Sequence, residues 1–479
     1  MNVADNLNAQ GQARHSQGRY AEAEQLFREC LSLREQTLGR DHPRTLQSKN
    51  NLAQVLNYLG MYDEGELLMR ECLVGMEQAL GRNHHYTLAI MINLAGVLQS
   101  QGRYEEAEPL YTVSLSRMEQ TIGRNHPSTL AAINNLGNLL LSKGEYDEAE
   151  PLFRECLAVI QQTLGRNHPD TLASIHNLAA VLNSQGKYEE AEPLYRECLS
   201  LTQQTLGRNH PETLVSINNL ANLLHSQGKC KEAESLHREC ISVREQTLGR
   251  NHPATLGSMI NLATLLHSQG KYEEAESLLR ECVSLREQTQ GRNHLDTLKT
   301  INDLALVLKS QGKYDEAESL FRECLSRQEQ TLGRNHTDTL GSINNLAIVL
   351  NLQGKSEEAE QWVRECLSRQ EQTLGRNHPD SLSSIKILAH LLRSQGKYEG
   401  AEALYRECLS GKIQGRGRYH PESFDAMDNL ANLLVSQGKF DQAEPLYRAC
   451  LNGKLQTGRW HHPYTLTSTF KYVRLCFGM

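Results

Sequence analysis

Apolar residues recur along the chain at the spacing of amphipathic helices. Between Thr163 and Leu201, one stripe falls at i, i+3, i+4 and i+7 and predicts a first helix, here named helix A. This stripe consists of Ile175, Leu178, Ala179 and Leu182. A second stripe predicts helix B and consists of Tyr188, Ala191, Leu194, Tyr195, Cys198 and Leu199. The residues SQGK between the stripes supply a glycine for a tight turn, so the two helices are predicted to be antiparallel neighbours.

The same pattern repeats along nearly the whole chain without an insertion. The turn glycine recurs every 42 residues, at Gly18, Gly60, Gly102, Gly144, Gly186, Gly228, Gly270, Gly312, Gly354, Gly396 and Gly438. A period of this size is typical of solenoids, propellers and arrays. We therefore predict an all-α fold, an α-solenoid of about eleven helix-turn-helix repeats that forms one domain over residues 1–479. The segment from Pro463 to Phe477 is predicted to be a lone helix A that caps the last repeat.

The loop between helix B and the next helix A carries the signals of a helix start. In LGRNHP, Asn167 and Asp170 have the spacing of a capping box, and Pro169 fits the first helical turn. The sequence leaves open whether Asn167 or His168 is the cap, because a residue before proline resists the helical conformation. In the last two copies, Gly411 and Gly453 are predicted to end helix B early.

The repeat has small residues, a turn glycine and large residues at fixed positions. These positions are Ala179, Ala191 and Cys198, then Gly186, then Leu178, Tyr188 and Tyr195. In them the chain resembles the tetratricopeptide (TPR) pattern. With LGRNHP, HNLA or NNLA, and GKYEEAEPLYRECL, it most resembles the 42-residue repeats of kinesin light chain and of related TPR proteins such as nephrocystin-3. The resemblance covers the chain from about Asn6 to the end, and it implies a right-handed superhelix whose helices A line a concave groove.

The resemblance also implies a class of partner. Kinesin light chains bind short acidic peptides that contain an aromatic anchor, and they act in microtubule-based transport. Kinesin heavy chain is a partner by resemblance, but the heptad coiled coil that holds it in the family has no counterpart in a sequence whose first repeat begins close to Met1. We therefore expect an adaptor for extended acidic segments rather than an established motor subunit.

Composition argues against several other classes of partner. The net charge of −7 offers no basic excess for a nucleic-acid backbone, and no run of 18 apolar residues is present that could span a membrane. The first ten residues lack the basic and apolar regions of a secretory signal. We therefore expect a cytoplasmic protein, with association to the cytoskeleton as a further option.

The cysteines and loop histidines each occupy one repeat position. The cysteines are Cys30, Cys72, Cys156, Cys198, Cys240, Cys282, Cys324, Cys366, Cys408 and Cys450, with Ser114 in the third copy. The histidines are His42, His84, His126, His168, His210, His252, His294, His336, His378, His420 and His462. Stacked repeats hold equivalent residues roughly 10 Å apart, too far for disulfides or a shared metal. We predict reduced packing cysteines, histidines that bond to helix ends, and no metal site.

Repeat 6 departs from the pattern in helix B. Cys230 and His237 replace the usual aromatic residues, and His237 with Cys240 has a spacing that could share a metal ligand. Only two ligands come close in this way, so a soft point in the array is the favoured interpretation. Ser356 weakens the ninth repeat similarly.

Catalytic motifs are absent from the sequence. No P-loop, HExxH or CxxC occurs, and the S-x-x-K match that begins at Ser184 recurs in the turns of several repeats, which makes it structural. We predict that the protein is not an enzyme and needs no cofactor. On helix B, Glu precedes Arg by four residues, as in Glu150 with Arg154, which predicts a solvated outer face.

Asparagines recur on the side of helix A that the resemblance places in the groove. They are Asn50, Asn51, Asn93, Asn134, Asn135, Asn138, Asn177, Asn218, Asn219, Asn222, Asn261, Asn302, Asn344, Asn345, Asn429 and Asn432. Asparagine is a poor helix former, and its amide offers both a donor and an acceptor. Two explanations stay open: a row of amides that pairs with the backbone of an extended peptide, or a hydrogen-bond ladder between helices.

Basic residues join the asparagines on this side in repeats 6 to 10. They are His225, His267, Lys299, Lys309, Lys386, His390 and Arg393. Such a set favours acidic ligand segments. A second basic and aromatic cluster lies near the C-terminus and consists of Lys412, Arg416, Arg418, Tyr419, Lys454, Arg459 and Trp460. The alternative function is a structural scaffold that assembles through its convex face and ends while the groove stays passive.

Overall fold

The computed structural model describes residues 3–16, 19–59, 61–416, 418 and 420–456. In this part of the chain the regular elements are all helices. They are α1 (Val3–Ser16), α2 (Tyr20–Leu38), α3 (Pro43–Tyr58), α4 (Tyr62–Leu80), α5 (His85–Ser100), α6 (Tyr104–Ile122), α7 (Pro127–Lys143), α8 (Tyr146–Leu164), α9 (Pro169–Ser184), α10 (Tyr188–Leu206), α11 (Pro211–Ser226), α12 (Cys230–Leu248), α13 (Pro253–Ser268), α14 (Tyr272–Gln290), α15 (Leu295–Ser310), α16 (Tyr314–Thr331), α17 (Thr337–Leu352), α18 (Ser356–Thr373), α19 (Pro379–Ser394), α20 (Tyr398–Arg416), α21 (Pro421–Ser436) and α22 (Phe440–Gln456).

The helices form the predicted tandem pairs. Odd-numbered helices are helices A and even-numbered helices are helices B, so the described residues contain eleven repeats. The predicted stripe of helix A is buried, with Ile175 and Leu178 at most 3% exposed, and Ala191 of helix B is fully buried. The all-α repeat fold is confirmed, because each helix hides one apolar stripe against its neighbours. The predicted cap from Pro463 lies outside the described residues.

The chain forms two compact units. The first consists of Met1–Lys143 with Gln328–Thr339, and the second of Gly144–Arg327 with Leu340–Met479. In the second unit the apolar side chains of α13 to α22 form one continuous core. That residues 1–479 act as one domain stays a prediction.

The cap of each helix A from α3 to α21 is the loop histidine, which settles the choice between Asn167 and His168. His168 is extended (φ −70°, ψ 140°), and its Nδ1 accepts a hydrogen bond from the backbone N–H of Asp170 at 3.2 Å. The same bond, at 3.1 to 3.3 Å, is made by His42, His84, His126, His210, His252, His294, His336, His378 and His420. The predicted structural role of these histidines is confirmed, and His462 lies outside the described residues.

Replacement of one cap tests this role. His168→Ala leaves a backbone N–H at the start of α9 without its acceptor, and we expect a loss of about 1 kcal/mol in local stability. His168→Asn supplies a side-chain oxygen at the same place and should keep most of it. Amide exchange of the first turn of α9 measures both. Equal exchange in the alanine variant and the native chain would contradict the cap.

The glycines predicted to end helix B early do not do so. Helix α20 continues past Gly411 to Arg416, and α22 continues past Gly453 to Gln456. A Cβ on Gly411 would lie 2.7 Å from a methyl carbon of Leu382, and one on Gly453 would lie 2.6 Å from the Cζ of Phe424. These glycines therefore allow two helices to approach closely, and they do not end a helix. The prediction that they end helix B early was wrong.

The repeat cysteines are buried free thiols, as predicted. The Sγ–H of Cys72 donates to the carbonyl of Leu46 at 3.1 Å, and that of Cys324 donates to Leu298 at 3.4 Å. Burial raises the pKa of Cys324 to about 12, so the thiol stays protonated. In repeat 3 the equivalent residue is Ser114, whose hydroxyl donates to the carbonyl of Tyr111. The cysteines therefore act as small core residues with a weak donor.

Candidate functional site

The predicted site residues all lie on helices A, on the side that does not carry the core stripe. We call this surface the helix-A face, and it consists of the asparagines and basic residues predicted from the sequence. Most of these side chains are half-buried, Lys299 is exposed and Asn344 is 8% exposed. The face is therefore a partly desolvated polar surface within each unit.

In the first unit, asparagines of successive repeats bond to one another. The Nδ2 of Asn93 donates to the Oδ1 of Asn50 at 2.9 Å, and the Nδ2 of Asn51 donates to the Oδ1 of Asn8 at 2.9 Å. Each bond joins two helices A of neighbouring repeats. These amides belong to a ladder between helices.

In the second unit, similar bonds use other acceptors. The Nδ2 of Asn219 donates to the Nδ1 of His176 at 3.0 Å. Asn302 and Asn344 each donate to a serine Oγ of the next repeat, Ser342 at 3.0 Å and Ser384 at 2.6 Å. At these positions the asparagine stabilises the stacking of repeats.

Other asparagines of the face have no side-chain hydrogen bond from a described residue. They are Asn134, Asn135, Asn138, Asn177, Asn222, Asn261, Asn345 and Asn429, all half-buried. Their amides keep the capacity to pair with a bound backbone. The ladder between helices thus accounts for the bonded asparagines, and for the others the pairing with a peptide backbone stays a prediction.

The histidines of the face are neutral at pH 7. The Nε2–H of His225 donates to the Oγ of Ser268 at 2.8 Å, and that of His267 donates to the Oγ of Ser310 at 2.7 Å. Burial lowers the pKa of both rings. Burial also lowers the pKa of His390 to about 4, and the hydroxyl of Tyr405 donates to its Nδ1 at 2.7 Å. The positive charge of the face at neutral pH therefore comes from its lysines and Arg393.

Two lysines of the face are half-buried without an ion pair. No carboxylate of the described residues lies within 4.0 Å of the Nζ of Lys309 or Lys386. Burial lowers the pKa of both ammonium groups; at Lys386 the charge of Lys412 adds to this effect and the carboxylate of Asp425 acts against it. A partly desolvated cation that has no direct ion pair gains from an anionic ligand beside it.

The outer face of helix B is different, because its charges are already paired. Glu318 accepts from the Nε of Arg322 and from the Nζ of Lys355 of the next repeat, both at 2.8 Å. The Lys355 ammonium lowers the pKa of Glu318 to about 2 against the raising effect of burial. Arg322 also reaches Glu358 at 2.6 Å. The Glu–Arg pairs expected within one helix therefore extend into a ladder between repeats, which the sequence analysis did not foresee.

An acid on the helix-A face was also missed by sequence reasoning. Asp303 of α15 occupies a position that is asparagine in eight other repeats, namely Asn51, Asn93, Asn135, Asn177, Asn219, Asn261, Asn345 and Asn429. Burial raises its pKa to about 6, against the lowering effect of Arg286 and Lys299. A comparison of equivalent positions in the repeats could have identified Asp303, since it is an aspartate where most repeats have asparagine.

His237 of repeat 6 is fully buried in α12. Its Nδ1–H donates to the Oδ1 of Asn218 at 3.2 Å, and no described atom bonds to its Nε2. Burial lowers its pKa to about 4. Among the described residues, no three histidine, cysteine or acidic side chains are grouped as a metal ion requires.

A cavity of about 420 Å³ opens on the helix-A face of the first unit. It is lined by Pro43, Arg44, Gln47, Asn50, Asn51, Met76, Tyr86, Ala89, Ile90 and Asn93. Met76 and Ile90 are apolar and buried, whereas Tyr86 is 51% exposed. The cavity thus has an apolar base and an amide rim, a combination suited to one side chain of a bound segment.

The basic cluster predicted near the C-terminus is only partly described. Lys412 is 4% exposed, and its Nζ lies 2.6 Å from a carboxylate oxygen of Glu422. Lys412 therefore forms a buried ion pair within the fold. The side chain of Arg416 and the residues Tyr419, Lys454, Arg459 and Trp460 lie outside the described side chains. No described helix combines the length and the hydropathy needed to cross a bilayer.

Family models match the chain over most of its length. The model described as MalT-like TPR region matches residues 118–380, and the model described as Tetratricopeptide repeat matches 2–78, 47–120 and 387–456. No curated protein sequence matches the chain significantly.

Solved structures are also similar. The kinesin light chain-like protein of Podosopora anserina, with nearly identical TPR-like repeats, is 30% identical, covering 43% of this chain and 97% of that chain with a TM-score of 0.38. BtubC (BKLC) of P. vanneervenii is 20% identical, covering 51% of this chain and 92% of that chain with a TM-score of 0.37. A Rap protein complexed with competence and sporulation factor is 13% identical over 78% of this chain and 99% of its own, with a TM-score of 0.50.

Proposed function

Since the chain belongs to the tetratricopeptide repeat family, whose members act as protein-interaction scaffolds, we propose that it is a non-enzymatic adaptor for extended acidic peptide segments. The kinesin-light-chain-like repeats support a role as a cargo adaptor in the cytoplasm. The proposed binding surface is the helix-A face.

One observation carries this proposal: the half-buried, unpaired lysines Lys309 and Lys386. Cations of the outer helix-B face, such as Lys355, already have carboxylate partners and gain little from a ligand. Lys309 and Lys386 are partly desolvated, and no carboxylate of the described residues lies within ion-pair distance of either ammonium. A ligand carboxylate beside them would supply the missing counter-charge.

The asparagines without internal partners would hold the backbone of the segment. Asn177, Asn222 and Asn261 offer donors and acceptors independent of ligand sequence. Asn218 and Asn219 are already bonded to His237 and His176, so their replacement would test folding more than binding. In the first unit, the cavity beside Tyr86 would accept an apolar side chain of the segment.

Charge reversal on the two faces tests the proposal. The probe is a fluorescently labelled peptide of alternating glutamate and serine, and binding is followed by fluorescence anisotropy. We expect Lys309→Glu with Lys386→Glu to weaken binding by about tenfold or more, because two counter-charges become repulsive.

The matched control moves the same charges to the outer face. Lys271→Glu with Lys355→Glu changes the net charge by the same amount, because it also replaces two lysines by glutamates. These two lysines lie on the outer face, where they pair with Glu234 and Glu318 of helix B. This variant should lose less than about threefold, by long-range repulsion alone. Equal losses in both variants would show that only net charge matters, and the helix-A face would no longer be the proposed site.

A further inference from the structure

Loops of late repeats lie against the ends of helices A that come twelve helices earlier. In the second unit, the Nε2–H of His420, in the loop before α21, donates to the carbonyl of Ser184 at the end of α9 at 2.8 Å. In the first unit, the Nε2–H of His336 donates to the carbonyl of Ser100 at the end of α5 at 3.2 Å. Both bonds join residues 236 positions apart, so the contact has a fixed register.

The surroundings show that this is a packed contact. In the second unit, a Cβ on Gly144 would lie 2.8 Å from the Cγ of Pro379, so the turn glycine touches the incoming loop. In the first unit, the rings of Tyr62 and His336 stack with centroids 5.8 Å apart. His336, His378 and His420 are at most 9% exposed. The rings of His336 and His420 thus each join two elements, because Nδ1 caps its own helix and Nε2 donates to a carbonyl at the end of another.

Other repeats present the same two surfaces without this contact. The first surface, the loop edge, consists of the loop histidines His168 and His210 of the second unit, which are half-buried. Their Nδ1 atoms accept the cap bonds, so each Nε2 is left as the donor of its ring.

The second surface, the turn edge, lies at the ends of α13, α15, α17, α19 and α21. No described residue donates a hydrogen bond to the carbonyls of Ser268, Ser310, Ser394 or Ser436. Built Cβ atoms on Gly270, Gly312, Gly396 and Gly438 would meet nothing within 4 Å, in contrast to Gly144. Leu352, which replaces the serine in repeat 9, is 49% exposed there.

We propose that the loop edge of one copy of this chain docks on the turn edge of a second copy. The two edges carry complementary donors and acceptors, and the chain already pairs them in the same register within each of its units. The docked pair continues that contact between molecules and covers Leu352. The interface joins two different surfaces, so copies add head to tail and the assembly continues beyond a dimer.

Variants that block one edge at a time test the proposal on the full chain. The loop-edge variant carries His168→Asn and His210→Asn, because asparagine keeps each cap but is too short to donate to a second molecule. The turn-edge variant carries Ser394→Arg and Ser436→Arg, which place long side chains at exposed positions where the loop would enter. Circular dichroism melting checks that both variants fold like the native chain.

Analytical ultracentrifugation over a wide range of concentration gives the masses. We expect the native chain to grow beyond a dimer, and each variant alone to associate at least about tenfold more weakly. An equimolar mixture of the variants should form dimers that do not grow, because each copy supplies the edge that the other lacks. A native chain that stays monomeric, a native assembly that stops at dimers, variants that assemble like the native chain, or a mixture that does not pair would each overturn the proposal.

Discussion

The Asp303→Asn variant is expected to be more stable than the native chain by about 3 kcal/mol at pH 7, because the folded state raises the pKa of Asp303 from 3.8 to about 6. At a pH below the pKa of the unfolded state, a carboxyl with a raised folded pKa does not lower the free energy of unfolding. The loss of stability grows as the pH rises from the unfolded pKa through the folded pKa. Asparagine is isosteric with the protonated acid and carries no charge, and eight other repeats already place it there.

Urea unfolding at several pH values measures this effect. The gain should be near zero at about pH 3 and complete at about pH 7, following the titration of the acid. Asp63→Asn removes the same charge at an exposed position of α4 and serves as the control, with a change within about 0.5 kcal/mol. A gain at Asp303 that does not vary with pH would contradict the buried-acid explanation. The variant also removes a negative charge from the helix-A face, so acidic peptides should bind it more tightly.

The His237→Tyr variant is expected to protect repeat 6 against acid. Burial lowers the pKa of His237 from 6.5 to about 4, so the folded state binds this proton less readily than the unfolded state. The corresponding stability is present above the unfolded pKa and is lost as the pH falls towards 4. The full loss is about 3 kcal/mol, which follows from the size of the shift.

Tyrosine at position 237 has a ready partner. In repeat 11, the hydroxyl of Tyr447 donates to the Oδ1 of Asn432 at 2.7 Å, and Asn222 occupies the position of Asn432 in repeat 6. The substitution also removes the Nε2 of His237, which no described atom satisfies. We therefore expect a modest gain at neutral pH and a gain of about 3 kcal/mol more at about pH 4.

Amide exchange by mass spectrometry locates this effect. In the native chain, α12 should exchange faster than α8 and α10, and the difference should grow on acidification once intrinsic exchange rates are corrected. The variant should remove the difference. His85→Tyr, the same change at an exposed position, serves as the control. If α12 of the native chain is protected as well as α8 and α10 at neutral pH and at about pH 4, repeat 6 is not a soft point.

The repeat fold could be predicted from the sequence because each local signal recurs in register. Ile175 and Leu178 mark a buried stripe, the turn glycine separates the helices, and Pro169 marks the start of the next helix. The cap itself could not be chosen, since only geometry shows that the ring of His168 faces the backbone N–H of Asp170. Gly411 was misread because close packing against Leu382 depends on a neighbouring helix.

The candidate site could be predicted only in outline. Helical spacing places Lys309 and Lys386 on one side of helix A, but it gives no burial or ion pairs. His225 and His267 were counted as basic, whereas their burial and their bonds to serines keep the rings neutral. The bond between His420 and Ser184 joins residues 236 positions apart, and no local pattern predicts a contact of that length.

The most direct test of the central claim is a charge swap between Lys386 and the ligand. Binding of the alternating glutamate–serine peptide and of an alternating lysine–serine peptide is compared for the native chain and for Lys386→Glu. If acidic segments lie on the helix-A face, the variant binds the acidic peptide more weakly and the basic peptide more tightly, each by several-fold, and added salt reduces both changes. If Lys386→Glu changes the affinities for both peptides in the same direction, or changes neither affinity, acidic segments do not bind beside Lys386.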